Sequence, residues 1–249
     1  MAVVLKSSQE IEKMRRAGKV VREVLELVRA KVKPGATTYD LEKAAEARLS
    51  ELGVKAAFKG YHGFPCVLCT SVNSEVVHGI PSPKRVLKEG DIVSVDCGVV
   101  VDGYYGDAAI TVPVGAIDSK AAKLLQVTEE SLKAGIAAVK PGATLGDVGA
   151  AVQGVVEGGG FSVVRDFVGH GIGSAMHEDP QVPNFGEAGR GMKLKVGMVI
   201  AIEPMVNAGG PDVQVLADGW TAVAKDGSMS AHFEHTVAVT ANGARILTE

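Results

Sequence analysis

The hexapeptide VKPGAT occurs twice, at residues 32–37 and 139–144, a displacement of 107 residues. At the same displacement Asp40 meets Asp147, Gly53 meets Gly160, and LKEGDIVSVD, ending at Asp96, meets LKVGMVIAIE, ending at Glu203. One offset shared by several separated stretches marks an internal repeat, which constrains architecture more than any local propensity. Each copy reads as a helix, a Pro-Gly turn, a second helix and then strands. In the first copy Ile11, Met14, Ala17, Val21, Val24 and Leu25 fall at helical spacing behind a capping box at Ser7 and Glu10. The alternation in DIVSVD and MVIAIE predicts strands. The expected class is α+β: two pseudo-symmetric halves pack their strands into one curved antiparallel sheet backed by helices, with a pocket where the halves meet. The halves run over about 10–112 and 119–240, linked by 113–118, within a single domain spanning 1–249.

Composition closes off other classes. Apolar residues make up 46% and charged residues 22% of 249 positions, which argues against a disordered or fibrous chain and fits one globular domain. A net charge of −3 supplies no broad basic field, so direct nucleic-acid readout is not expected. The cluster Lys13, Arg15, Arg16, Lys19 and Arg22 reads as a solvated helix face. Cys66, Cys69 and Cys97 are too few for a disulfide scaffold and point to a reducing, cytoplasmic compartment. The opening MAVVLKSSQE has too short an apolar stretch for a signal peptide. No later run reaches the roughly 18 apolar residues of a membrane helix, so no membrane partner is expected.

The repeat aligns Asp96 with Glu203 at equivalent ends of equivalent strands, near the axis relating the halves. A carboxylate in an apolar strand is costly to bury unless a cation or hydrogen-bond donors compensate it. Structural salt bridges are the plainer alternative. In DCGVVVDGYYGD a hairpin turned at Asp102 and Gly103 is expected to set Asp107 facing Asp96. Glu203 in MVIAIEPM and Glu234 in SAHFEHTVAVT sit among β-favouring residues, and His170 stands in GHGIG. Taken singly, an Asp on a hairpin is usually a turn former and a lone His a structural residue. Together, four carboxylates and one imidazole suit two divalent ions sharing oxygens, as in hydrolytic two-metal sites.

Other motifs carry less. GHGIGSAM lacks the phosphate-loop patterns, and its glycines are expected to admit substrate backbone. HFEH lacks the HExxH spacing. Alternation puts His232 and Glu234 on one side of the strand, with His232 either behind the ligands or, more plainly, an exposed histidine. Cys66 and Cys69 form a CxxC without a second pair, which argues against structural zinc.

The ordered set Asp96, Asp107, His170, Glu203 and Glu234 resembles the metal ligands of the type I methionine aminopeptidases of peptidase family M24. The stretches GYHGFPCVLCTSVNSEVVHGIP, DIVSVDCGVVVDGYYGDAAIT, GHGIGSAMHEDPQVPN, GMVIAIEPM and SAHFEHTVAVT extend the resemblance over essentially the whole chain. It implies the pita-bread fold, in keeping with the repeat. It also implies hydrolytic removal of the initiator methionine from nascent, deformylated proteins whose second residue is small and uncharged. Asp96 would chelate one ion, His170 would bind the other, Asp107 and Glu234 would bridge them, and Glu203 would complete the second site and shuttle a proton. Two such cations lower the pKa of water from about 15.7 towards about 7. His78 and His177 would hydrogen-bond the substrate amide and steady the tetrahedral intermediate. Phe58, Tyr61, Phe64, Cys69, Met176 and Trp220 would line the methionine pocket, a soft apolar wall suited to a thioether.

There are departures. Met176 stands where an aromatic residue is common, and the loop from Asn73 to His78 is altered. Asn73, Glu75 and Ser230 fall where some relatives hold a monovalent cation. Neither the type II insertion nor an amino-terminal zinc finger is present, which resembles the bacterial short form. The resemblance leaves the ion open among cobalt, manganese, iron, nickel and zinc. Its implied partners are amino-terminal methionyl peptides, nascent polypeptides and the ribosome, with a monomer expected. The alternatives are another pita-bread aminopeptidase or prolidase, and a noncatalytic peptide-binding protein on the same fold.

Overall fold

The computed structural model describes residues 3–249, so Met1 and Ala2 of the opening stretch lie outside it. Ser7 caps the first helix as its spacing from Glu10 predicts. Its hydroxyl accepts the Glu10 N–H, and the Glu10 carboxylate accepts the Ser7 N–H at 2.7 Å. Helix α1 (Ser8–Arg29) buries all six apolar positions read from its spacing, against strands of both halves. Each buried aliphatic side chain contributes about 1.5–3 kcal/mol, so docking outweighs helix propensity. Arg16, Lys19 and Arg22 are exposed, with Arg16 paired to Asp102 and Arg22 to Glu26.

The repeat is visible in the backbone. Helix α2 (Thr38–Glu51) and helix α4 (Leu145–Gly158) begin in matching capping boxes, Thr37 with Asp40 and Thr144 with Asp147. The turn before each is stitched to the segment entering the next strand in the same way. Leu87 N–H donates to Ala36 O at 2.8 Å and Leu194 N–H to Ala143 O at 2.7 Å. Between them α3 (Ser119–Ala138) starts at its cap Asp118.

Strands β1 (Lys55–Ala56), β2 (Leu68–Val72), β3 (Glu75–Val77), β4 (Ile92–Val101) and β5 (Tyr104–Pro113) precede α3, and β6 (Ser162–Val163) follows α4. Then come β7 (Gly169–Gly171), β8 (Glu178–Val182), β9 (Val199–Ile202), β10 (Met205–Asn207) and β11 (Val213–Val215). The last are β12 (Ala222–Ala224), β13 (Ser230–His232), β14 (His235–Thr240) and β15 (Gly243–Ile246). Among the described residues every strand pairing is antiparallel, in four hydrogen-bonded patches. One runs β1-β4-β2 with β5 on β4, and another runs β15-β14-β9-β7-β8. Helices α1 and α2 pack on the first, α3 and α4 on the second. The α+β arrangement expected from the repeat holds. No helix of the described residues is long and apolar enough to cross a membrane.

The two large patches meet along β5, and threonine side chains carry much of that seam. Thr236 Oγ1 donates to Asp107 O at 2.8 Å and accepts the Asp107 N–H at 3.2 Å. Thr111 Oγ1 does the same for the His232 carbonyl and N–H. Between β13 and β14 the chain breaks step at Phe233 and Glu234, where the Glu234 N–H donates to Ala109 O at 2.9 Å.

Candidate metal centre

Asp102 and Gly103 turn the β4–β5 hairpin with φ of 50° and 78°, the left-handed conformations a two-residue turn requires. That turn pairs Val101 with Tyr104, so Asp96 stands opposite Ala109 and Asp107 opposite Gly98. The two acids are therefore diagonal neighbours on one side of the hairpin, with their side chains in contact. Glu203 follows the last residue of β9, with Pro204 ending the strand. Glu234 enters from the break between β13 and β14. His170, in β7, holds Nδ1 against Gly171 O at 2.9 Å and turns Nε2 towards Glu203 Oε1 at 3.6 Å and Asp107 Oδ2 at 3.9 Å.

The glycines beside His170 serve the sheet rather than a substrate. A Cβ on Gly169 would lie 2.3 Å from Ala201 O, and one on Gly171 2.2 Å from Asp179 O, so close strand approach is what demands them. Of the two places open to His232, behind the ligands or exposed, the structure gives the first. His232 is buried, 1% exposed, with Nε2 3.6 Å from Glu203 Oε2, because the sheet covers the side of the strand that it shares with Glu234.

Burial pushes Asp96 up from the ordinary carboxylate range, and burial with the charge of Asp96 pushes Asp107 far up. Glu234 is raised well above its usual value by burial and by Asp107. Burial raises Glu203 too, but His232, His170 and His78 outweigh it and hold that carboxyl below its usual value. Asp96 Oδ1, Asp107 Oδ1, Glu234 Oε1 and His232 Nε2 are buried without a hydrogen-bond partner. Orphaned oxygens converging at this density fit divalent cations, since the hydrogen bonds and charges of the described residues leave Asp96, Asp107 and Glu234 all raised. Asp107, His170 and Glu234 form one group able to hold an ion, and Glu203, His232 and Glu234 form another.

A cavity of about 160 Å³ opens onto the acids. Phe58, Tyr61, Phe64, Met176 and Trp220 form its apolar wall, with Phe64 edge-on to Trp220 at 5.1 Å. His78 and His177 line it as well, and burial lowers the pKa of both, His177 to about 4. The Tyr61 hydroxyl lies 2.7 Å from His177 Nδ1. The cavity thus gathers the residues expected to act together, with one exception. Cys69 is buried in the same apolar cluster, paired in register with Asp96, but does not line the cavity. The three cysteines are free. At the altered loop, Asn73 O accepts the Ser230 N–H at 2.8 Å, while the Glu75 carboxylate accepts the Val72 N–H and faces Arg85. The seam threonines Thr111 and Thr236 were not singled out in the sequence, where a threonine in a strand carries no signal.

Comparison with known proteins accounts for this arrangement. The model of metallopeptidase family M24 matches residues 12–241. A methionine aminopeptidase of Clostridium acetobutylicum is 52% identical over 99% of this chain and 98% of its own. Methionine aminopeptidase 1 of Bacillus subtilis is 50% identical over 99% of both. The crystal structure of a methionine aminopeptidase from Thermotoga maritima superposes with a TM-score of 0.98 at 52% identity, covering all of both chains. The fold is the pita-bread fold. Similarity sustained over the whole length, around a centre of clustered acids and imidazoles, means that the chain belongs to metallopeptidase family M24, among the bacterial type I methionine aminopeptidases.

Proposed function

We propose that this chain is a metal-dependent aminopeptidase that removes the initiator methionine from nascent, deformylated proteins whose second residue is small and uncharged. One observation carries the reading: a single cavity joins a soft apolar wall, of a size for a thioether side chain, to a buried cluster of acids and imidazoles. Full-length identity of about half with methionine aminopeptidases supports it. A noncatalytic binder would have no use for four converging carboxylates whose burial is so unfavourable.

In this reading Asp96, Asp107, His170, Glu203 and Glu234 hold two divalent ions, drawn from cobalt, manganese, iron, nickel or zinc. When bound, such ions polarise the scissile carbonyl and make water a nucleophile at neutral pH. The rest falls to the chain. Glu203 is the one acid of the cluster held below its usual value, so its carboxylate is ionised at neutral pH and ready to accept a proton. His177 is neutral at that pH, and the Tyr61 hydroxyl at Nδ1 leaves its other ring nitrogen for the substrate amide. His78 is the second hydrogen-bonding group at the reacting carbonyl. Phe58, Tyr61, Phe64, Met176 and Trp220 take the methionine side chain and exclude water, with Cys69 packed behind them. The catalytic unit is a single domain, 1–249, with halves at 10–112 and 119–240. It acts as a cytoplasmic monomer on chains emerging from the ribosome.

The test is release of free methionine from Met-Ala-Ser and Met-Lys-Ser by metal-free protein, with and without added manganese or cobalt. Metal-dependent cleavage of the Met-Ala peptide alone is expected. No cleavage with any metal, despite metal binding, would return the chain to the noncatalytic class.

A further inference from the structure

Two imidazoles flank one carboxylate in this centre. His170 Nε2 lies 3.6 Å from Glu203 Oε1, and His232 Nε2 lies 3.6 Å from Glu203 Oε2. Both separations exceed a hydrogen bond. His232 is 1% exposed, and its Nε2 is buried with no hydrogen-bond partner, a state that is unfavourable unless something supplies the missing interaction. A ring nitrogen of His232 lies within 4.8 Å of carboxylate oxygens of Glu203 and Glu234, and Glu234 also belongs to the group formed with Asp107 and His170. Two donors held about 2.1 Å from one tetrahedral ion stand about 3.4 Å apart, close to the spacing found here.

The main chain fixes the aim of this ring. The His232 N–H and carbonyl are both taken by Thr111 Oγ1, and β13 pairs His232 with Met205, two residues after Glu203. The seam between the halves therefore holds the His232 backbone beside the centre.

We propose that His232 is a sixth metal-ligating residue, giving the ion held by Asp96 an imidazole nitrogen of its own beside Oε2 of Glu203, whose Oε1 stays with the ion of His170, and with Glu234 shared between the two ions. The inference rests on the metal-site reading above and deepens it. With the five-residue set, the ion held by Asp96 would see oxygen alone and suit hard ions such as manganese. With His232 included, the pair of ions becomes more nearly equivalent and the Asp96 position favours cobalt, nickel or zinc, to which imidazole is better suited.

The deciding measurement is nuclear magnetic resonance on nitrogen-15-labelled protein saturated with cadmium-113, because a one-bond coupling between cadmium and an imidazole nitrogen requires ligation. The chain has 6 histidines, so the coupled ones can be counted directly. Two coupled imidazoles, each on its own cadmium nucleus, are expected. A single coupled imidazole, or two on one nucleus, overturns the inference and leaves the metal centre standing. None overturns the centre and the inference with it. A second arm is cobalt binding to metal-free His232→Gln by calorimetry, where the weaker of the two equivalents should lose at least about tenfold in affinity while the tighter is unchanged. Wild-type affinity for both equivalents would overturn the inference. Should that variant fail to fold, the coupling count in the unmodified protein decides.

Discussion

Asp107 has its main-chain hydrogen bonds at the seam because Thr236 reaches across to supply both of them. Thr236→Val keeps the shape and deletes both bonds. Each buried group left unsatisfied costs about 1–3 kcal/mol, so a loss of about 2 kcal/mol or more is expected, with weaker metal binding as Asp107 loosens. Thermal melting and metal titration check it, and a wild-type melting point would dismiss the role. Glu234→Ala removes the carboxylate common to both ion-holding groups. At least one ion should be missing by elemental analysis and turnover should fall about a thousandfold or more, with the fold intact by circular dichroism; normal turnover would refute the ligand assignment. The acids are legible in the sequence because a carboxylate among Val, Ile and Ala is chemically out of place, and because the repeat aligns Asp96 with Glu203. Thr236 is not legible, since threonine is an ordinary strand residue and its partner lies 129 positions away. His232 is half legible: alternation gives the side of the strand but not whether that side is covered.

At the scale of elements, the turn from β7 to β8 carries Met176 and His177 and is tied down from behind by the amino-terminal segment. Lys6, its side chain 3% exposed, forms an ion pair with Glu178 and donates to Val4 O, while its own N–H donates to Gly197 O at 2.7 Å. Glu178 also accepts the Ala175 N–H at 3.2 Å. Removing one partner of a buried pair leaves the other uncompensated, at about 3–5 kcal/mol. Lys6→Met should therefore lower the melting point and raise KM for a Met-Ala peptide more than it lowers kcat, as Met176 and His177 lose their fixed position. Adding Glu178→Leu should recover most of the stability. If KM stays at its wild-type value in the single variant, the clamp does not position the turn. Helix α1 is legible from its capping box and spacing, and α2 and α4 from the repeat that aligns Asp40 with Asp147. Strand β10 is three residues long, too short for alternation to declare it, and the break between β13 and β14 falls inside a stretch that reads as one strand, so the division of the sheet into four patches is not legible.

For the molecule as a whole, the centre sets stability against charge. Asp96, Asp107 and Glu234 are all raised by burial in the metal-free chain, and nearby carboxylates raise them further: Glu203 acts on Asp96, Asp96 and Glu203 on Asp107, and Asp107, Glu203 and Asp96 on Glu234. A carboxyl whose pKa is higher folded than unfolded binds its proton more tightly in the folded state. Its stabilising contribution is full below the unfolded value of about 3.9–4.3 and is lost as pH rises through the folded one. Ordinary surface acids behave in the opposite sense: Glu10 and Asp226, held at about 2 by hydrogen bonds from Tyr104 and Gly210 respectively, destabilise the chain when protonated in strong acid. The lowered histidines His78, His177 and His235 act in the opposite sense below their unfolded value of about 6.5, so the effect of the buried acids is read above it: metal-free protein is expected to lose melting temperature as pH rises from about 6.5. Added manganese or cobalt should reverse that slope, because cations compensate the carboxylates that protons otherwise neutralise. Thermal melting across pH 4 to 8, with chelator and with metal, measures both limbs. A metal-free melting curve that rises from pH 6.5 to 8 would mean that the buried acids are already compensated by the chain itself, and the case for cations at this centre would lose its physical basis.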